Sequence, residues 1–299
     1  MFRFLSAIGL SKYVEAGRLR ELIGLLLRNP EQIKTAYLRA GAKKMNVEKR
    51  VNMGPFFVTV TELASEAPEF TEIYPGVREL WGPVLDNLVI SEDPNGHMYA
   101  SGVESRTGEL FTLMLTSLGG LLDKNGKIAP AKGLKFSCYG LSVDGRVILG
   151  SEIDAQGAKD MKEEAEWRED VLRRAMEGEE AAFSEIDSYM NEVDEEIRER
   201  LKSEDLYSVL DGFFSPMGPD ASYNVLGEIL HVDKMLNPLS EEWVYRLEVK
   251  TMAASMGIYI NPRDLVGVPE KGRRFRGTVR VLGMAEPDRL LDDLDRGFF

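Results

Sequence analysis

Two stretches of strand-like sequence, one on each side of a strongly acidic segment, set the limits on this fold. Between about Phe56 and Gly150 run "FFVTVTEL", "DNLVIS", "MYASGVES", "ELFTLMLTS" and "LKFSCYGLSVDGRVILG". Each is rich in β-branched and aromatic residues and bounded by turn residues, the pattern of a mainly antiparallel sheet. Within the last run, Asp144-Gly145 predicts a hairpin, and "DKNGK" (Asp123 to Lys127) predicts a further turn. From Ser222 the chain returns to strands in "YNVLGEILHV", "EWVYRLEVKT", "MGIYINP" and "RFRGTVRVLG". Four or five short strands separated by turns predict a small antiparallel barrel over 222–285, nearest in architecture to the oligonucleotide/oligosaccharide-binding type.

The remaining segments read as helices. Leu19, Leu22, Ile23 and Leu26 recur at spacings of three and four, which places them on one helix face. Asn29, Pro30 and Gln32 form a capping signal that predicts a second helix running through "IKTAYLRAGAKK" until Gly41. Ser151 to Asp205 holds twenty acidic residues against eight basic ones, a net of -12 in a chain of net charge -13. Within it Phe183, Ile186, Met190, Val193, Ile197 and Leu201 make an amphipathic stripe, and Trp167, Val171 and Ala175 make another. Ser203 is placed to cap a short helix with Leu206, Val209, Leu210 and Phe213 inward, which "SPMGPD" then breaks. The expected fold is therefore α+β. An N-terminal α+β domain (1–150) precedes an acidic helical connector (151–221), a C-terminal barrel (222–285) and an acidic tail (286–299).

Composition narrows the function classes. A pI near 4.9 disfavours nucleic acid and anionic lipid as general partners, because both are polyanions. Cys138 is the one cysteine, so no intramolecular disulfide can form. Its apolar setting reads as a small buried hydrophobe in a reducing compartment. The N-terminal stretch lacks a signal-peptide core, and no apolar run reaches the roughly 18 residues of a membrane span. The expected location is the cytoplasm. His97 and His231 are the two histidines, and neither stands in a zinc spacing or beside a nucleophile elbow. No phosphate-loop spacing occurs, so the sequence nominates no catalytic residue, no metal ligand and no cofactor.

One basic stretch stands out. Arg273, Arg274, Arg276 and Arg280 fall within eight residues of "VPEKGRRFRGTVRVLG". In an extended segment Phe275, Gly277, Val279 and Val281 share one face, and Arg274, Arg276, Thr278 and Arg280 share the other. That is an antiparallel strand with a wet arginine face. "EWVYRLEVK" is the expected neighbour, with Trp243, Tyr245, Leu247 and Val249 in and Glu242, Arg246, Glu248 and Lys250 out, so that glutamates neutralise the arginines. Arg273, Arg274 and Arg276 are the candidate binding residues, at the turn and strand entry.

Several stretches together resemble the bacterial family catalogued as domain of unknown function 3881. They are "FLSAIGLS", "GLSVDGRVILG", "EDLYSVLDGFFSPMG", "YNVLGEIL" and "INPRDLVGVPEKGRRFRG", in the family's order over nearly the full length. The resemblance implies a cytoplasmic bacterial protein and supplies no catalytic residues. The sequence departs from the family pattern in two places. Between Gly218 and Tyr223 it is a residue shorter and lacks a cysteine; after "GRRFRG" it reads Arg280-Val281-Leu282-Gly283 where the family tends to Trp-Leu-Gln-Gly. Arg280 is thus particular to this chain.

These features point to a non-enzymatic binding or scaffold protein, with the acidic amphipathic helices as the surface for a protein partner. Two alternatives stay open. One is single-stranded nucleic-acid binding by the C-terminal barrel; the other is a carboxylate-based enzyme with its site between the two β-rich parts.

Overall fold

The structure is a computed structural model that describes residues 2–15, 18–28, 32–37, 46–63, 69–78, 82, 84–86, 89–94, 97–103, 110–117, 121, 135–148, 167, 170–171, 173–175, 177–179, 181–186, 188, 212–252 and 254–285. The chain divides into two compact units, 1–147 with 211–299, and 148–210.

The first unit is mostly β, with antiparallel pairing predominant. A 3-10 helix (Phe2–Ile8) and two α-helices, α1 (Ser11–Glu15) and α2 (Leu19–Leu27), open it. Strands β1 (Gln32–Tyr37), β2 (Asn46–Met53), β3 (Phe56–Leu63) and β4 (Glu69–Val77) form a small antiparallel sheet in that order. A second sheet contains β5 (Val84–Asp86), β6 (Val89–Glu92), β7 (Met98–Val103), β8 (Leu110–Leu115) and β9 (Lys135–Ile148). It also contains β10 (Phe213–Pro216), β11 (Ser222–Asn237), β12 (Glu242–Lys250), β13 (Ser255–Ile260), β14 (Leu265–Val266) and β15 (Arg274–Ala285).

Strand β11 pairs with both β12 and β15, so the pairing β11-β12-β13-β9-β15 returns to its start. Within 222–285 alone that circuit is open between β13 and β15. Strand β9, from before the acidic segment, fills the gap and pairs in parallel with β13.

Four expectations are corrected. Residues 32–37 form a strand where a helix was expected, in antiparallel register with β2 from Gln32↔Val51 to Tyr37↔Asn46. Ile33, Thr35 and Tyr37 suit a ladder, and a six-residue ladder outweighs a local capping signal. Asn29, Pro30 and Gly41 lie outside the described residues, as does the turn expected at 123–127. Second, β9 runs unbroken through Asp144-Gly145, with no hairpin there. Gly145 has no positive φ. It serves close approach instead, since a Cβ on it would lie 2.7 Å from Ile260 Cδ1 and Phe275 Cε2. Third, Phe213 begins a strand that pairs with β11, not a helix face. Fourth, Trp243 is 47% exposed while Val244 and Arg246 are buried. Leu247 and Val249 enter the core enclosed by the strand circuit, but Val244 enters a second core. Strand β12 is thus covered on both faces.

That second core lies among Leu5, Ile8, Leu22, Leu26, Val51, Val58, Tyr139 and Tyr259. It gathers the N-terminal helices, one face of the small sheet and the large sheet. The periodic residues Leu22 and Leu26 of α2 are both buried there, as their spacing predicts. Polar bonds pin the N-terminal segment down. Asn237 Nδ2 donates to Ile8 O (2.7 Å), and Ser240 Oγ donates to Gly9 O. Ser6 Oγ donates to Asp264 Oδ2 (2.5 Å), and Arg263 donates to Ser11 Oγ (2.9 Å). Gly9 has φ +79°, which only glycine adopts without strain.

In the second unit, 181–186 is helical, and Arg174 pairs with Glu185 (2.6 Å). Of the expected stripe, Phe183 is 53% exposed and Ile186 is half-buried, while Ala182 beside them is buried. Met190, Val193, Ile197, Leu201, the helix expected after Ser203 up to Leu210, and the tail 286–299 lie outside the described residues. No helix among the described residues is long and apolar enough to cross a membrane.

Candidate functional site

Burial normally sorts polar from apolar side chains, so a polar group inside is the informative observation. The small sheet breaks that rule on one face. Alternation puts Val51, Val58, Val60 and Ile73 on the face that enters the second core. The opposite face is a grid fixed by register. Asn52, Phe57 and Gly76 stand in one row, Arg50, Thr59 and Tyr74 in the next, and Glu48, Thr61 and Glu72 in the third. Most of it is inaccessible: Glu48 is 5% exposed, Arg50 6%, Thr59 1% and Thr61 1%.

The grid is internally ordered. The Phe57 ring lies over Gly76, where any Cβ would collide with it, and the Arg50 guanidinium sits 4.6 Å from the centroid of that ring. A guanidinium over an aromatic face gains cation–π attraction that strengthens on desolvation. Ser117 Oγ donates to Glu48 Oε2 (3.1 Å), and Tyr74 Oη donates to Glu72. Thr59 Oγ1, at the centre, has no hydrogen-bond partner. A buried hydroxyl in that state costs free energy unless something else satisfies it. At its edge the grid continues into a cluster of Tyr74, Tyr99, Met114 and Ala221. Ala221 holds φ +58°, a conformation that costs a non-glycine residue about 1–3 kcal/mol and often accompanies functional constraint.

Nothing in the sequence reading singled out this grid. The alternation of β2 reads equally well as a solvated strand face. The available signal was in β3, where threonines rather than charged residues separate the valines, as in a strand buried on both sides.

Beside Tyr74 stands His97, edge-on at 6.3 Å between ring centroids. Its backbone N–H donates to Asp93 Oδ1 (2.9 Å), and its Nδ1 lies 3.1 Å from Asp93 Oδ2. Burial, then the nearby Asp93, pushes the Tyr99 hydroxyl up to about 12. His231, on β11, lies 3.1 Å from Asp233, which also pairs with Arg246. Cys138 is fully buried, and burial pushes its thiol up to about 12. Among the described residues no group of three or more His, Cys, Asp or Glu side chains is disposed to hold a metal ion.

The arginines lie along β15 and at the turn before it. Phe275, Val279 and Val281 are buried, as the alternation requires, and Arg274, Arg276 and Arg280 are half-buried on the other face. Arg273 precedes the strand, pairs with Glu270 (2.7 Å), and through its carbonyl accepts the Ile229 N–H. Arg274 stands opposite Glu228, and Arg276 opposite Leu226. Arg280 pairs with Asp220 and lies 4.9 Å from the Phe4 ring centroid. The neighbour across from them is β11, not β12 as expected; β12 pairs with β11 and β13. Glu270 and Asp220 supply opposite charge to Arg273 and Arg280.

Comparison with curated proteins and with solved structures finds no match to this chain. A family model does match it. The family is described as "Domain of unknown function, E. rectale Gene description (DUF3881)", and the match covers residues 5–283. It takes in the N-terminal segment, both sheets and the β15 strand, and on that extent the chain belongs to the DUF3881 family.

Proposed function

We propose that this is a non-enzymatic binding protein whose recognition groups lie on the polar face of the small sheet. The observation that carries the reading is the Thr59 hydroxyl, buried and unpartnered between Arg50 and Tyr74. A folded chain that encloses a polar surface pays for desolvation unless that surface is used. Elsewhere, the matched segments near Ser11 and Asn261 are taken up in hydrogen bonds that hold the fold together.

The test is purification under native conditions followed by intact-mass measurement before and after denaturation. A bound molecule released on unfolding is expected. A bare polypeptide mass in both states counts decisively against the reading.

A second reading, a scaffold that docks a protein partner on its acidic helices, is supported by Phe183. This large apolar side chain is exposed on a helix that also carries Glu185. Substituting Phe183→Ser abolishes recovery of the partner in a pull-down if this reading holds, and leaves recovery unchanged if it does not.

A further inference from the structure

We infer that the protruding end of the β11–β12 hairpin is a stacking site for a planar ring that carries a phosphate, of the nucleoside monophosphate class. It is separate from the small sheet and does not depend on the binding role proposed above. Register sets Leu236 opposite Trp243 and Lys234 opposite Tyr245. Alternation puts them on the face that continues inward through Leu247 and Val249 to the core of the strand circuit. Strand β13 stops pairing at Tyr245, and β15 stops at Glu228. The Leu236–Trp243 row therefore stands past the ladders of both neighbours, with Trp243 47% exposed and Leu236 41%. The reverse face is fixed: Val244 and Met235 pack in the second core, and Asn237, Ser240 and Glu242 bond the N-terminal segment. The exposed indole thus sits on a rigid support, which reduces the ordering cost of binding.

Charge and size select the ligand. Lys234 Nζ lies 5.2 Å from the Trp243 ring centroid and 5.7 Å from that of Tyr245. Among the described residues this ammonium has no carboxylate partner. The carboxylates next to it in sequence are engaged elsewhere. Asp233 pairs with Arg246 on the opposite face, and Glu242 is taken up by Ser11, Lys12 and Asn261. An aromatic plate with an unneutralised cation beside it matches a base and its phosphate, since every base has a face to stack. A protein partner fits less well. A stable interface takes about 800 Å² from each side, and two partly exposed side chains offer roughly a quarter of that. A long single strand is repelled by a chain of net charge -13, whereas one nucleotide brings only about two negative charges.

The experiment is quenching of tryptophan fluorescence in the full chain, titrated with nucleoside monophosphates and with the matching nucleosides. Trp243→Ala leaves Trp81 and Trp167 as a control for quenching elsewhere. Lys234→Met keeps a stem over the rings and removes the charge. The expected result is saturable quenching by a nucleotide in the parent and its loss in Trp243→Ala. The matching nucleoside should bind about fivefold more weakly, the upper end for an exposed ion pair, and Lys234→Met should close that gap. Lys234 is exposed, so its variant decides the matter even where Trp243→Ala fails to fold. Absence of saturable quenching overturns the inference, as does equal quenching in the parent and a folded Trp243→Ala. A nucleotide that binds no tighter than its nucleoside overturns it as well. An oligodeoxythymidine that binds on the order of tenfold tighter than any mononucleotide assigns the face to single strands instead. A parent dimer in sedimentation that Trp243→Ala disperses assigns it to a second copy, and either outcome overturns the inference.

Discussion

The Glu242 carboxylate accepts hydrogen bonds from the backbone N–H (3.1 Å) and the hydroxyl (2.6 Å) of Ser11, 231 positions earlier in the chain. It also accepts from the Lys12 N–H (3.0 Å) and from Asn261 Nδ2 (3.0 Å). One side chain on β12 therefore satisfies the free donors at the start of α1, a role normally filled by a local cap.

Substituting Glu242→Ala strands two backbone donors and an amide at once. Hydrogen bonds to charged groups contribute about 1.5–3 kcal/mol each, and they are not additive. The variant is expected to lose about 3 kcal/mol in urea unfolding, and Glu242→Gln less. Hydrogen exchange should show the N-terminal residues losing protection before the strand circuit does. Unchanged protection at Ser11 and Lys12 removes this account.

Asp233 gives a pH dependence of known sign. Arg246 beside it, and then His231, hold its carboxyl below the usual carboxylate value despite an opposing effect of burial. A depressed folded-state pKa contributes stability above the unfolded value, and that contribution disappears as pH falls through the folded value. The stability gap between the parent and Asp233→Asn is therefore expected to be open at neutral pH and to close in the acid range below pH 4 or so. Melting midpoints of the two proteins across pH 2–8 check this; a gap that widens toward acid contradicts it.

Two glycines separate close approach from mere flexibility. Gly145→Ala puts a methyl against Ile260 and Phe275 inside the circuit, and overpacking of that kind costs about 1–3 kcal/mol. Gly24, in the middle of α2, has nothing within 4 Å of its Cβ position. Gly24→Ala is expected to stabilise by about 1 kcal/mol from helix propensity. Equilibrium unfolding of the pair should move the midpoint in opposite directions.

The Cys138 thiol should be inert in the folded protein. Burial keeps it protonated and out of reach, and the thiolate is the reactive form. A disulfide-exchange reagent should label it at the rate of global opening, increasing with urea. Rapid labelling under native conditions contradicts the placement of β9.

Much of the strand content was legible, and the physical reason is period two. "FFVTVTEL" became β3 with the same ends, and Phe275, Val279 and Val281 turned inward as their alternation required. What failed was decided by distant partners. Gly145 carries a turn signature that a strand built on close packing overrides, and 32–37 carries a helix signature that the β2 ladder overrides. The candidate site was hidden for a related reason. Glu48 and Arg50 have the same alternation whether their face meets water or protein, and burial belongs to the assembled sheet. Pairing across the acidic segment was equally unreadable, because nothing in 135–148 names 255–260 as its partner.

That last pairing has a consequence for how the chain can be cut. Strand β9 precedes the acidic segment in the sequence, and its neighbours β13 and β15 follow it. Residues from both sides of the acidic segment in the sequence therefore share one strand circuit. Neither half contains a complete circuit, so each expressed alone should remain unfolded. Expressed together as 1–147 and 211–299, they should find one another and reassemble without a peptide bond between them.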